Sequence, residues 1–359
     1  MPPAAAIAQR LRRQAGRAAQ RGSPLYVGLL ERAAGDVDAH GPAWELLRRR
    51  AGEPEGDALP LRLMAAAHRL VLAGAAPELA RWYPSAGGAG RPEQAWPDLR
   101  ALLADRAAEL DALLDAPLQT NEPGRSAALL AGFAVVARKT GLPLRILEVG
   151  ASAGLNLHFD RYRYEAPGFA FGPPGSPVRL CAVYVGATPA RVPIAVAERA
   201  GCDRRPLDPR SAEDRLVLRS AVWADQTERL ALLDGALTVA RRHPVAVERA
   251  DALTWLETRL AARTAGTATV VVHSIVMQYL VAGERAALRA RIEAAGAAAT
   301  ADAPLAWLWL EPPVSRPPPG DPDRDLAELR LTTWPDGHEA RLGAAGYHGR
   351  PVRLAVSPA

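Results

Sequence analysis

Apolar positions recur at helical spacing through the first third of the chain and in short continuous runs through the rest. Residues 7–19, 25–34, 61–72, 76–82 and 99–114 repeat Leu, Ala and Val every three or four positions, which predicts amphipathic helices. Ser23-Pro24 marks a helix start, with serine as N-cap and proline in the first turn. Residues 52–57 and 85–92 are rich in Gly and Pro and read as loops. No strand-like run precedes residue 143, and no segment repeats.

The period changes at 144. Residues 144–149 form a short apolar run that ends in glycine, the pattern of a buried parallel strand. Runs at 192–197, 245–247, 269–272 and 305–310 repeat it, although Pro193 fits only a strand start or a sheet edge. Helical stretches at 213–241, 253–262 and 284–299 separate these runs. Strands alternating with helices predict an α/β domain with a mostly parallel sheet and right-handed crossovers. Residues 329–334 and 351–356 read as closing strands, and 312–323 as a proline-rich loop. An aromatic, Gly/Pro-rich stretch near 157–190 breaks the alternation and reads as an inserted flap. The division expected is a helical N-terminal region at 1–140 and a sheet domain at 141–359.

Composition adds constraints. A length of 359 residues fits two domains. Hydrophobic residues make up 49% but aromatics only 5%, so Ala, Leu and Val must build the core. The net charge of +5 comes from 44 basic and 39 acidic residues, and Lys139 is the only lysine. The short runs Arg48–Arg50 and Arg204-Arg205 are interspersed with acids, so they read as solvated faces and not as a nucleic-acid footprint. Cys181 and Cys202 form no CxxC and lie near no histidine cluster, which argues against a disulfide framework or a zinc site. No apolar run reaches the roughly 20 residues of a membrane span. Arg10, Arg12, Arg13, Arg17 and Arg21 precede the first acid, Glu31, without the serines of a transit peptide. A basic first helix and a cytoplasmic location are expected.

The candidate chemistry centres on residues 147–157, LEVGASAGLNL. Glycines let the backbone turn tightly and approach a ligand, and a following helix would offer free N–H groups. Acid-x-Gly-x-small-x-Gly after a strand resembles motif I of class I methyltransferases, in which the loop passes against S-adenosylmethionine. That resemblance gives Glu148, Gly150, Ser152 and Gly154 cofactor-binding roles, with Asn156 beside them, on a Rossmann-like sheet. The same letters spell GxSxG, the hydrolase nucleophile elbow, with Ser152 as nucleophile and Asp302 with His338 or His348 as partners. A packed turn without any ligand is the third reading.

The rest of a methyltransferase-type site has candidates. Asp203, after the run at 192–197, would face the ribose hydroxyls if 157–184 is an insertion. Asp251-Ala252-Leu253 resembles the motif that contacts adenine, and Asp251 also suits a helix N-cap. His273 stands at a strand end, where ligands bind in open α/β sheets, and Glu311 ends the next strand. Both are candidate bases for an acceptor. Upstream, 118–126 clusters polar side chains that can either reach the cofactor or cap a helix through Asn121 and Pro123.

Several stretches together resemble one bacterial family, domain of unknown function 2332. These are 22–26 (GSPLY), 118–125, 148–162, 199–208, 222–226 (VWADQ) and 273–280. The resemblance spans nearly the whole chain. It makes Gln119, Asn121, Arg125, Asn156, Asp160, Trp223 and Gln278, with adjoining Tyr279, expected pocket residues. The resulting expectation is an S-adenosylmethionine-dependent methyltransferase with a small-molecule acceptor and no nucleic-acid or membrane partner. A serine hydrolase and a non-catalytic binding protein remain as rivals.

Overall fold

The computed structural model describes residues 2–315 and 317–355. Helices α1 (Pro3–Gln20), α2 (Pro24–Asp38), α3 (Pro42–Leu47), α4 (Leu59–Leu72), α5 (Pro77–Ala80), α6 (Pro92–Asp105), α7 (Ala107–Leu114) and α8 (Ser126–Thr140) precede the first strand, β1 (Leu144–Val149). Then follow β2 (Arg163–Ala166), β3 (Phe169–Phe171), β4 (Arg179–Cys181), β5 (Val196–Asp203), α9 (Ala212–Ala221), α10 (Thr227–Arg242) and β6 (Val247–Arg249). The chain continues with α11 (Ala252–Ala261), β7 (Ala268–Ser274), α12 (Ala282–Ala297), β8 (Leu305–Glu311), β9 (Ala327–Trp334), β10 (His338–Ala345) and β11 (Val352–Leu354). Of the closing strand expected at 351–356, Val356 lies outside the described residues. None of the described helices is long and apolar enough to cross a membrane.

The chain divides into two compact units, Met1–Thr120 with Arg210–Ala231, and Asn121–Pro209 with Leu232–Ala359. The division falls near 120, not at 140, because α8 belongs to the sheet. A Cβ on Gly132 of α8 would stand 2.2 Å from Leu308 Cδ1 of β8, so the helix lies flat on the strand only because that residue is glycine.

The first unit is helical, with a core of Leu25, Tyr26, Leu29, Leu63, Leu99 and the later Trp223. The expected helix 213–241 is broken at 222–226. There Trp223 is buried and stacks on Tyr26 with ring centroids 5.5 Å apart. Ser23 does not cap α2 itself. Its hydroxyl donates to Asp225 Oδ1 at 2.6 Å, and the Leu25 amide donates to Asp225 Oδ2 at 3.0 Å. A carboxylate from far along the chain therefore caps α2 in place of the local serine. Asp225→Ala is expected to lower the stability of this unit by about 2 kcal/mol, read as a lower urea midpoint, with Asp225→Asn closer to wild type.

The second unit holds a mixed α/β arrangement. Its eight-stranded sheet has the order β11-β10-β9-β8-β7-β1-β5-β6. Neighbours from β8 through β7, β1 and β5 to β6 pair in parallel, and β9, β10 and β11 close the sheet antiparallel. Leu147, Val149, Val271, Trp307 and Trp309 share one apolar face with Trp255 and Leu256 of α11 and Leu288 and Ile292 of α12. α8 covers the other face across β7 to β10.

β5 pairs directly with β1, Val149 opposite Cys202. The intervening chain forms a separate three-stranded sheet, order β3-β2-β4, which is the inserted flap. No α-helix occurs between β1 and β5. The helix expected after the glycine turn is a run of 3-10 turns, Leu155–Arg161, kinked at His158. The strand expected at 192–197 starts only at Val196, beyond Pro193, and runs on to Asp203.

Candidate functional site

The parallel strands β1, β5 and β7 end side by side, so the turn after β1, Asp203 of β5 and the loop after β7 converge on one sheet edge. Strand order reverses between β1 and β7, the position where open α/β sheets leave a ligand crevice. The turn uses left-handed backbone at Gly150 (φ +67°), Ser152 (φ +54°) and Gly154 (φ +71°). Glycine is needed at 150 for a second reason. A Cβ there would stand 2.5 Å from Val276 Cγ2, so the loop after β7 packs directly on the turn. A Cβ on Gly154 would likewise stand 2.9 Å from Val247 Cγ2.

The amides of this turn are spent within the unit. Ala151 N donates to Cys202 O at 3.0 Å and Gly154 N to Ala151 O at 2.7 Å. Ser152 N donates to Asp203 Oδ2 at 2.9 Å. Asn121 Oδ1 accepts from both Ala153 N at 3.2 Å and Leu155 N at 3.0 Å. An anion cradle needs open amides, so this turn is not built for a phosphate. It also corrects the role expected of Asn121, which caps the glycine turn and not a helix. The 3-10 turn Pro123–Arg125 leads into α8 without a side-chain cap.

Among the described residues, two buried polar atoms at this edge lack partners, Ser152 Oγ and an oxygen of Glu148, and the second can carry charge. The Glu148 side chain is buried and receives a hydrogen bond from the Asn156 amide, while Oε2 has no partner. Ser126 Oγ donates to Asn156 Oδ1 at 2.9 Å, fixing which end of that amide faces the carboxylate. Burial, above all, pushes the Glu148 carboxyl up to about 8. The Asn156 hydrogen bond and the charge of Arg125 pull it down, and Asp203 adds a smaller upward push. Arg125 is itself held by Ser274 O at 3.0 Å and Tyr347 O at 2.9 Å.

His273 lies apart from this group. Glu148 pairs in register with Val272, and neighbours along a strand face opposite sides. His273 is therefore on the α12 face, fully buried, 5.9 Å from the Trp307 ring. Its Nδ1 lies 2.7 Å from Glu311 Oε1. Glu311 also accepts from Val276 N at 2.8 Å and Met277 N at 3.3 Å. The pair expected as acceptor bases thus fixes the loop after β7, a role the sequence did not reveal. Arg316 lies outside the described residues.

The remaining expected residues scatter. Asp203 reaches the turn, with Oδ1 also accepting from Arg205 N at 2.8 Å. Asp251 caps α11 through Leu253 N at 2.9 Å and stays accessible, with Ala252 opening that helix. Asp160 is a bidentate partner of Arg199, at 2.7 and 2.9 Å, which braces the 3-10 run against β5. Trp223 is core of the helical unit, and Gln119 borders a cavity of about 40 Å³ there, room for about one water. Gln278 and Tyr279 are exposed. Ser152 Oγ is buried without a partner, so no imidazole activates it and the nucleophile–base pair of a hydrolase is missing among the described residues.

Residues 8–353 match the model of a family described as "Uncharacterized protein conserved in bacteria (DUF2332)". No curated protein and no solved structure matches the chain.

Proposed function

The chain belongs to the DUF2332 family of bacterial proteins, and from the geometry of its site we propose that it is an S-adenosylmethionine-dependent methyltransferase acting on a small-molecule acceptor. The observation that carries this reading is the buried Glu148 carboxylate, with one oxygen unpartnered, at the edge where strand order reverses. A buried acceptor of that kind is satisfied by a ligand ammonium group, which the methionyl end of the cofactor supplies. The order β6-β5-β1-β7-β8 supports this reading, because numbered along the chain it runs 3-2-1-4-5, as Rossmann-like sheets do. Acids stand beside it at Asp203 and Asp251, where ribose and adenine contacts would fall. The closed amides of the turn favour a cofactor without phosphate over a dinucleotide.

The donor set fits the cofactor, and its roles divide by residue. Glu148 would hold the ammonium, with Asn156 and Arg125 fixing the carboxylate. Asp203 fixes the turn and Asp251 would take the outer end. The cofactor supplies an electrophilic methyl group when bound. The protein's share is alignment and exclusion of water, because methyl transfer needs little covalent help. No observation favours the hydrolase over this reading.

Titration calorimetry of the full chain with S-adenosylhomocysteine tests it. Binding is expected, abolished in Glu148→Ala and weakened roughly tenfold in Asp251→Ala. A well-folded protein that gives no heat, or equal binding by Glu148→Ala, would remove the proposal.

A further inference from the structure

The segment between β7 and α12 combines features that a passive connection does not need. It starts at Ile275, a β-branched residue held in the left-handed region at φ +57°, where such side chains are strained. The strand end just before it is pinned, since Arg125 Nη1 donates to Ser274 O and Ile275 N donates to Leu310 O at 2.9 Å. Just after it, one carboxylate gathers both amides. Glu311 takes Val276 N and Met277 N while it holds His273. Val276 then lies against Gly150, on the turn that leads from Glu148. Farther along, Tyr279 and Val281 stand 62% and 67% exposed, among the few large apolar side chains left in solvent. Arg285 Nη1 donates to Met277 O at 3.2 Å, a second tie on the part that Glu311 holds, this one from α12.

We propose that residues 275–281 form a lid over the glycine turn, latched by Glu311, and that Val276 must leave Gly150 before a ligand lies against that turn. The hinge is Ile275, because the fixed strand end lies on one side of it and the latched amides on the other. Strain stored there lowers the cost of opening, and the Glu311 hydrogen bonds oppose it. Tyr279 and Val281 ride on the moving part. His273 acts through Glu311 as a positioning residue, holding the carboxylate in line with the two amides. The lid rests on the reading of this turn as a ligand site, but its motion is measurable without any ligand.

Hydrogen exchange of the full chain, with no ligand present, reads the latch. Glu311→Ala is expected to speed exchange across residues 276–281 at least tenfold while the β1 and β7 amides stay slow. Calorimetry with S-adenosylhomocysteine reads the plug, and Val276→Ala is expected to bind at least tenfold more tightly than wild type, because nothing has to be displaced. Should Glu311→Ala fail to fold, Glu311→Gln and Val276→Ala still carry the test. Unchanged exchange at 276–281, or, where wild type binds, binding by Val276→Ala no tighter than wild type, overturns the lid. If wild type binds no S-adenosylhomocysteine and yet Glu311→Ala speeds exchange locally, the lid stands and the cofactor assignment falls.

Discussion

Asn121→Ala should cost the sheet-bearing unit about 3 kcal/mol. The alanine leaves the Ala153 and Leu155 amides buried without their acceptor, and each orphaned donor costs about 1–3 kcal/mol. The loss is not made good by water, since both residues are buried. Protection of the β1 and β7 amides against hydrogen exchange measures it, because these strands open only when the unit unfolds. Asn121→Asp retains the accepting oxygen and should recover most of the stability. A loss below about 0.5 kcal/mol in the alanine variant would mean that the turn is held by something other than Asn121. Ligand binding should fall with it, because the same turn carries the backbone away from Glu148.

Raising the pH should destabilise the ligand-free unit, and Glu148 should be the cause. Its carboxyl is raised from 4.5 to about 8 by burial. Between those values the folded protein keeps a proton that the unfolded chain releases. The stability that Glu148 contributes is therefore complete below about 4.5, declines from there to about 8, and is gone above. At about 1.4 kcal/mol per pH unit the whole effect is on the order of 3–5 kcal/mol. Glu148→Gln cannot titrate, so wild type should lose its advantage over this variant across that range. The buried His158, lowered to about 4, adds the same rise in stability to both proteins below about 6.5. Urea unfolding of both proteins from pH 5 to pH 9 decides the matter, and parallel profiles would refute it. An amine-bearing ligand should drive the proton off at neutral pH. The binding heat should then change with the ionisation heat of the buffer, an effect missing in Glu148→Gln.

The elements were legible where burial is complete. β1 lies at the positions its apolar run defines, because a central parallel strand is apolar on both faces. β5 was displaced because its outer half is exposed and its inner half is Ala, Gly and Cys, which carry little strand signal. β10 was missed for the same reason, since its first half faces solvent. Helical periodicity ran through 222–226 because Trp223 continues the apolar spacing, although it serves a different partner, Tyr26.

The site was legible along the strands and not across them. Glu148, Gly150 and Asp203 meet because sequence position fixes strand ends. Asn121 and Glu311 were named for plausible local roles, a helix cap and a base. Each instead serves amides brought to it by folding, at the nearest 32 and 34 positions away. Spacing carries no trace of such pairings. Trp223 looked like a pocket residue because of the family's motifs, but it packs in the core of the helical unit, whereas Gln119 does border a small cavity there.

The cap on α2 bears on how this protein is made. Asp225, Trp223 and Ala224 complete the helical unit, yet a ribosome delivers them only after the glycine turn, the flap and β5 have emerged. The nascent N-terminal helices must wait with an uncapped α2 and an unfilled place beside Tyr26. Domains usually finish in the order of synthesis. Here the helical unit is complete only at Ala231, still ahead of the sheet unit, which needs strands up to Leu354, and a chain ending at Thr120 lacks part of its own core.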